Sequence, residues 1–289
     1  MIKRERTGAL VWRLIYPLLI MLGVEIVIQF GFMLYFLIPG IQSGIYDDFS
    51  SVGIQQLTND FVSEYGMTIT ILRNVILIPL YFFFIKRDEK YDIALERKVY
   101  YENYDKRFIL LVLPLGIAMA LGFNILISIS GLMSISKSYK QIEEISYSSN
   151  YFIQILSACI LAPLFEEFLM RGLLYGRLRY HLNAPLSIVI TAALFGIIHG
   201  NIVQFAYAFL VGIVLAYSYE KFKTIVVPVI LHCITNLTSV VVTALLPSIG
   251  STASMGVNIA VMVVSFAVIT ACICILEHKF VRRPVQDSN

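Results

Sequence analysis

Three short clusters hold the residues of this chain that could do chemistry. They are Glu166-Glu167 with Arg171, Phe195 with His199, and His232 with Asn236. Neighbours on a helix diverge by about 100°, so the two glutamates cannot both face one partner. Glu167 and Arg171 stand at i, i+4, share a face and follow the favoured acid-before-base order. The spacing thus divides the pair: Arg171 neutralises Glu167, while Glu166 stays unpaired within its own helix. An unpaired carboxylate in a low-dielectric site suits a general base or acid; the plainer alternative is two acids facing a water-filled vestibule. His232 and Asn236, also at i, i+4, form one polar stripe on an apolar helix. A lone core histidine is usually just a satisfied one, but two on separate segments beside a glutamate pair point to a site. Asn236-Leu237-Thr238 also matches the glycosylation sequon, and is set aside because it lies within an apolar run.

The elements that must position these clusters are apolar runs at roughly 10–38, 67–85, 108–134, 151–170, 185–199, 202–219, 224–246 and 256–276. A spanning helix needs roughly 20 apolar residues, and lipid offers no partner for free backbone groups, so such runs must be helices. A barrel would need alternating segments of about ten residues, and the run from Leu77 to Ile85 does not alternate. Composition agrees. Of 289 residues 58% are hydrophobic, 13% aromatic and only 14% charged, with a mean hydropathy of +0.79. An ordinary soluble domain carries about 25% charged residues, so this chain cannot build a charged shell. A soluble globule, a disordered chain and a disulfide-stapled secreted module are excluded. The expectation is an all-α polytopic membrane protein with about eight transmembrane helices.

The net charge of +3 suggests no nucleic-acid partner, because the basic residues are allocated to topology. With the N-terminus inside, every Lys and Arg except Lys137, Lys140 and Arg73 falls in an inner segment, and Asp47, Asp48, Asp60, Glu64, Glu143 and Glu144 lie outside. By the positive-inside rule this places both termini in the cytoplasm and the protein in the plasma membrane as a multi-pass chain. The first apolar run is too long for a signal peptide and reads as a permanent span. Residues 1–150 read as N-terminal transmembrane helices, about three spans, with an inner charged connection at 86–107. That connection is either an interfacial helix or a solvated loop. Residues 151–245 hold the catalytic motifs, and 246–289 the last span and a basic tail. Cys159, Cys233, Cys272 and Cys274 lie in apolar runs without zinc-site or paired spacing and read as small buried hydrophobes. No internal repeat is found, which disfavours transporters built from duplicated halves.

Ionisable groups at membrane depth are functional candidates by default. Besides Glu166, Glu167, His199 and His232 they include Glu25 and Arg73 in the first two spans, which could form a structural ion pair across a depth difference of roughly 10 Å. With straight helices, Glu166 and His199 also sit at depths differing by roughly 10 Å. Tilt, a break near Pro163 or extension of the fourth span through Arg179 would remove that mismatch.

Glu-Glu-x-x-x-Arg, Phe-x-x-x-His and His-x-x-x-Asn, in that order on three spans, resemble the CAAX-protease and bacteriocin-processing family of intramembrane proteases. The resemblance covers roughly 150–245. It implies hydrolysis of a peptide bond at or in the membrane. Glu166 would activate a water with help from His199, His232 and Asn236 would stabilise the oxyanion, and Glu167 with Arg171 would hold the site. Oxyanion donors must lie about 3 Å from the developing charge. Whether a cofactor takes part is open: Glu166, His199 and His232 also form a ligand set of the kind that holds catalytic zinc, so one divalent metal is compatible. The His-Glu-x-x-His zinc helix and the Gly-x-Ser-x-Gly elbow are both absent. The partners implied are a peptide or membrane-protein substrate and the lipid bilayer; the oligomeric state is left open. The competing readings are a catalytically dispensable regulator or bacteriocin-immunity scaffold, and an ion-coupled transporter.

Overall fold

The computed structural model describes residues 7–42, 51–94, 109–136, 150–245 and 254–280. Among these residues there is no strand. The main helices are α1 (Thr7–Gln42), α2 (Ser51–Ala94), α3 (Ile109–Ile129), α4 (Tyr151–Arg179), α5 (Ala184–Ile197), α6 (Ile202–Phe222), α7 (Val226–Leu245) and α8 (Met255–Ile275). The chain is an all-α, multi-pass membrane protein. Its outward surface is apolar, as lipid requires: Trp12, Val27, Phe30 and Tyr35 on α1 and Val263 and Val264 on α8 are all exposed.

Seven of these helices are long and apolar enough to cross a bilayer, and α5 is not, with 14 residues. At 1.5 Å per residue α5 is about 21 Å long, against a hydrocarbon core of ~30 Å. Eight full spans therefore become seven and a shorter eighth helix. Gly200, at φ 75°, takes a left-handed conformation open to glycine and turns the chain back sharply. Asn201 then caps α6 by accepting from the Gln204 amide at 2.9 Å. Because α5 and α6 form a tight hairpin, α6 returns to the side α5 left, whether or not the turn reaches the far face.

Two polar breaks in the sequence are helical where they are described. Within 39–66, α1 runs on to Gln42 and α2 begins at Ser51. Phe61 and Tyr65 join Phe32 and Phe36 in an aromatic cluster that ties this extension to α1. The inner connection expected at 86–107 continues α2 as far as Ala94, and residues 95–108 lie outside the described ones. Asp88 explains the continuation: it pairs with Arg13 of α1 at 3.1 Å and with Arg177 of α4 at 2.6 Å.

Two cores hold the helices. One joins α3, α6, α7 and α8 through residues such as Leu115, Met119, Leu215, Leu231 and Ile269. The other joins α1, α2, α4 and α5 through Met21, Leu77, Tyr81, Phe165, Leu169 and Phe195. Glycine permits the closest approaches. A Cβ on Gly212 of α6 would lie 3.1 Å from the Ala192 Cα of α5. The polar clusters lie where α4 meets α5, α6 and α7.

Candidate active site

Helix α4 carries both glutamates and is not uniform. Ala162–Glu167 is α-helical, and the flanking Ile155–Leu161 and Phe168–Tyr175 are π-helical. Such stretches are rare and occur frequently at functional sites. They leave α4 continuous from Tyr151 to Arg179. This is the extension through Arg179, and on it Glu166 reaches His232 of α7 at 3.6 Å.

The i, i+4 pair forms as its spacing predicts. Arg171 Nη1 lies 2.8 Å from Glu167 Oε1, and both side chains are 0% exposed. An isolated buried charge would be very costly, so such a pair needs further hydrogen bonds, and it has them. Arg171 Nη2 donates to the Gly212 carbonyl of α6 at 2.8 Å. The guanidinium also stands 5.2 Å from the Phe195 ring centroid, a cation–π distance.

Helix α7 brings in His232. Its Nδ1 is 2.9 Å from the same Glu167 Oε1. An ionised carboxylate only accepts, so the proton is assigned to Nδ1 from this partner. On the other edge of the ring, Nε2 faces Glu166 Oε2 at 3.6 Å. Glu167 thus stands between two basic side chains, Arg171 and His232. Of these four side chains only Glu166, at 14%, keeps appreciable exposure; His232 has 4%.

His199 closes the last turn of α5. Its Nδ1 is 2.7 Å from the Phe195 carbonyl, which can only accept, so Nδ1 carries the proton and Nε2 is left for other work. Phe195 is buried between the two imidazoles. Its centroid is 4.9 Å from that of His199 and 5.7 Å from that of His232, edge to face in both cases. Asn236, one turn beyond His232, donates through Nδ2 to the Ala158 carbonyl of α4 at 2.8 Å.

The fold therefore brings Glu166, Glu167, Arg171 and His232 into direct contact and places His199 beside them across Phe195. Asn236 is tied to α4 instead, with one amide N–H already engaged. For a metal, Glu166, His199 and His232 are the donors to test. Among the described residues no three His, Cys, Asp or Glu side chains converge as metal ligands would, so the donor set as placed does not fit one. Glu25 and Arg73 meet at 3.5 Å, and the Arg73 guanidinium lies 5.2 Å from the ring centroid of Phe165, next to Glu166.

Three participants have no role legible in the sequence. Phe195 stands in a motif without an assigned part, although its i, i+4 relation to His199 is a usable signal. Gly212, whose carbonyl receives Arg171, carries no local signal. Ala158 becomes an acceptor because of its place in the π-helical stretch.

Comparison with known proteins converges on the same stretch of chain. Residues 148–238 match the model of a family described as type II CAAX prenyl endopeptidase Rce1-like. This is the stretch that carries the three motifs, and the similarity to that family rests on it. A relative in Bacillus subtilis (strain 168), named "Putative membrane peptidase YdiL", is 30% identical over 95 residues. That alignment covers 33% of this chain and 38% of the relative, so it spans well under half of either protein. No solved structure matches.

Proposed function

We propose that the protein is an intramembrane endopeptidase whose general base is Glu166. The observation that carries this reading is the buried series Arg171–Glu167–His232–Glu166, in which three groups are locked and the last is open. Its links are 2.8, 2.9 and 3.6 Å. The match of residues 148–238 to the type II CAAX prenyl endopeptidase Rce1-like family supports the same reaction class.

In the proposed reaction Glu166 takes a proton from a water as the water oxygen attacks the scissile carbonyl. The oxyanion so formed accepts from the Nε2–H of imidazolium His232, which Glu167 holds in orientation through Nδ1. Asn236 adds the amide N–H that Ala158 does not use. His199, with Nε2 unprotonated, assists in orienting the water. The C–N bond then breaks, and the proton held by Glu166 passes to the departing amine. Preorganised donors of this kind typically contribute about 10²–10³ in rate each. A prenylated CAAX tail, a bacteriocin leader and a membrane signalling protein are all compatible substrate classes.

The test compares membrane-protein termini, read by mass spectrometry, in cells carrying wild-type protein or Glu166→Gln. The expected result is a set of new termini present only with wild type. Identical termini, with both proteins present at equal level, would remove Glu166 catalysis from consideration.

A further inference from the structure

Asn236 has a partner that the order of residues on α4 explains. In the π-helical stretch Ile155–Leu161, the Ala162 amide donates five residues back, to the Ser157 carbonyl. The next carbonyl, that of Ala158, would take its π-helical bond from residue 163 and its α-helical bond from residue 162. Residue 163 is proline and has no N–H, while the amide of 162 is already engaged. The Ala158 carbonyl is thus left without a donor from its own helix. Asn236 Nδ2 donates to it from α7 at 2.8 Å. The same device recurs at Pro17 of α1: the carbonyl four residues earlier, that of Arg13, accepts from Arg177 Nη1 of α4.

We infer that Pro163 and Asn236 act as one positioning unit. The proline opens a carbonyl on α4, the asparagine of α7 closes it, and the bond sets how the turn bearing Glu166 stands against His232. Pro163 also ends the π-helical stretch, because continuing it needs an N–H at that residue. Glu166 follows three residues later, so the register in which it enters the site is decided at this bond. Asn236 is a positioning residue in this account, whatever its second N–H does. The inference rests on the proposed peptidase function only for its kinetic arm.

The experiment is a double-mutant cycle on the full-length protein in nanodiscs, with Asn236→Leu or Asn236→Asp in the wild-type and Pro163→Ala backgrounds. Leucine and aspartate both lack the donor, so either serves if the other fails to fold. In the wild-type background the substitution should lower the thermal unfolding midpoint by about 2–6 °C. It should also speed amide exchange across 159–167 several-fold. In the Pro163→Ala background the restored backbone N–H can donate to the Ala158 carbonyl, and both penalties should fall to less than half. Equal penalties in the two backgrounds would overturn the unit. Formation of the Glu166-dependent termini should fall by a larger factor in the wild-type background than in the Pro163→Ala background, where only the second N–H of Asn236 is lost. Recovered stability with an equal cleavage penalty in the two backgrounds would overturn the positioning role and leave Asn236 acting on substrate alone. Absence of Glu166-dependent cleavage in wild type would end the peptidase reading and leave the stability and exchange arms intact.

Discussion

At the scale of single residues, each buried group near Glu166 is defined by what it neutralises. Arg171 has no exposure and serves Glu167, the Gly212 carbonyl and the Phe195 ring together. Its removal would leave Glu167 as an uncompensated charge at membrane depth. Arg171→Leu should therefore cost about 3–5 kcal/mol of stability, read as a lower midpoint in thermal unfolding. Arg171→Leu combined with Glu167→Leu should cost less than the single change, since no charge is then stranded. A double variant less stable than Arg171→Leu would mean that the pair is not the source of the penalty. A second residue-scale prediction concerns the donor set. Because Glu166, His199 and His232 do not converge as metal ligands, Glu166-dependent cleavage should persist after dialysis against a strong chelator. Loss of cleavage that zinc restores would assign those three residues to a metal instead. The Glu167–Arg171 contact is legible in the sequence because both ends lie one turn apart on a single helix. The His232–Glu167 contact, between residues 65 apart, is not, because no local rule sets which face of α7 meets α4.

Among the elements, α4 is the helix on which α1, α2, α5, α6 and α7 converge, and small residues on its neighbours let them approach. Gly212 is one such point near the site: an added Cβ would meet Ala192 Cα at 3.1 Å, Ala192 Cβ at 3.2 Å and Phe195 Cδ1 at 3.2 Å. One of those atoms is backbone and cannot rotate away. Gly212→Val should push α5 from α6 and move both Phe195 and the carbonyl that receives Arg171. The expected outcome is at least a tenfold loss of Glu166-dependent cleavage at matched protein level; unimpaired cleavage would show that the α5–α6 spacing is not critical. Away from the site, Asp88 joins α1, α2 and α4 by accepting from Arg13 and Arg177. The Arg177 side chain is only 2% exposed, and Tyr16 stacks beneath its guanidinium. Asp88→Ala should strip the counter-ion from that buried cation and destabilise the protein by a few kcal/mol, read as earlier thermal unfolding. No change would place the Arg177 charge in solvent. By sequence Arg177 counts among the basic residues that set topology. Its burial shows that a Lys or Arg count describes which side of the membrane a residue occupies and not whether it faces water.

For the whole molecule, the apolar exterior and the paired interior charges have one cause, the scarcity of charge. With only 14% charged residues, those at membrane depth are matched: Glu25 with Arg73, and Glu167 with Arg171. The orientation expected from the positive-inside rule is open to direct measurement. In a cysteine-free background, Lys140→Cys should react with a membrane-impermeant maleimide in intact cells. Gln286→Cys should react only after permeabilisation. The reverse pattern would turn the protein over and place its termini outside.

Several features were determined by the sequence alone. Hydropathy demanded helices because lipid cannot satisfy a free backbone, and seven of the eight apolar runs are long enough as helices to span. The i, i+4 spacing of Glu167 and Arg171 prescribed their pairing, and the motifs contain Glu166, Glu167, Arg171 and His232, which the fold brings into contact. Tertiary structure decided what depends on packing between distant segments. It set the shortness of α5, the continuation of α2 into a charged stretch, the placing of Phe195 between two histidines, and the capture of the Ala158 carbonyl by Asn236. The physical reason is one of range. Periodicity and backbone satisfaction act within a helix and can be read along the chain. The choice of partner for a buried carboxylate or an orphaned carbonyl is made across helices, by whichever donor the packing delivers.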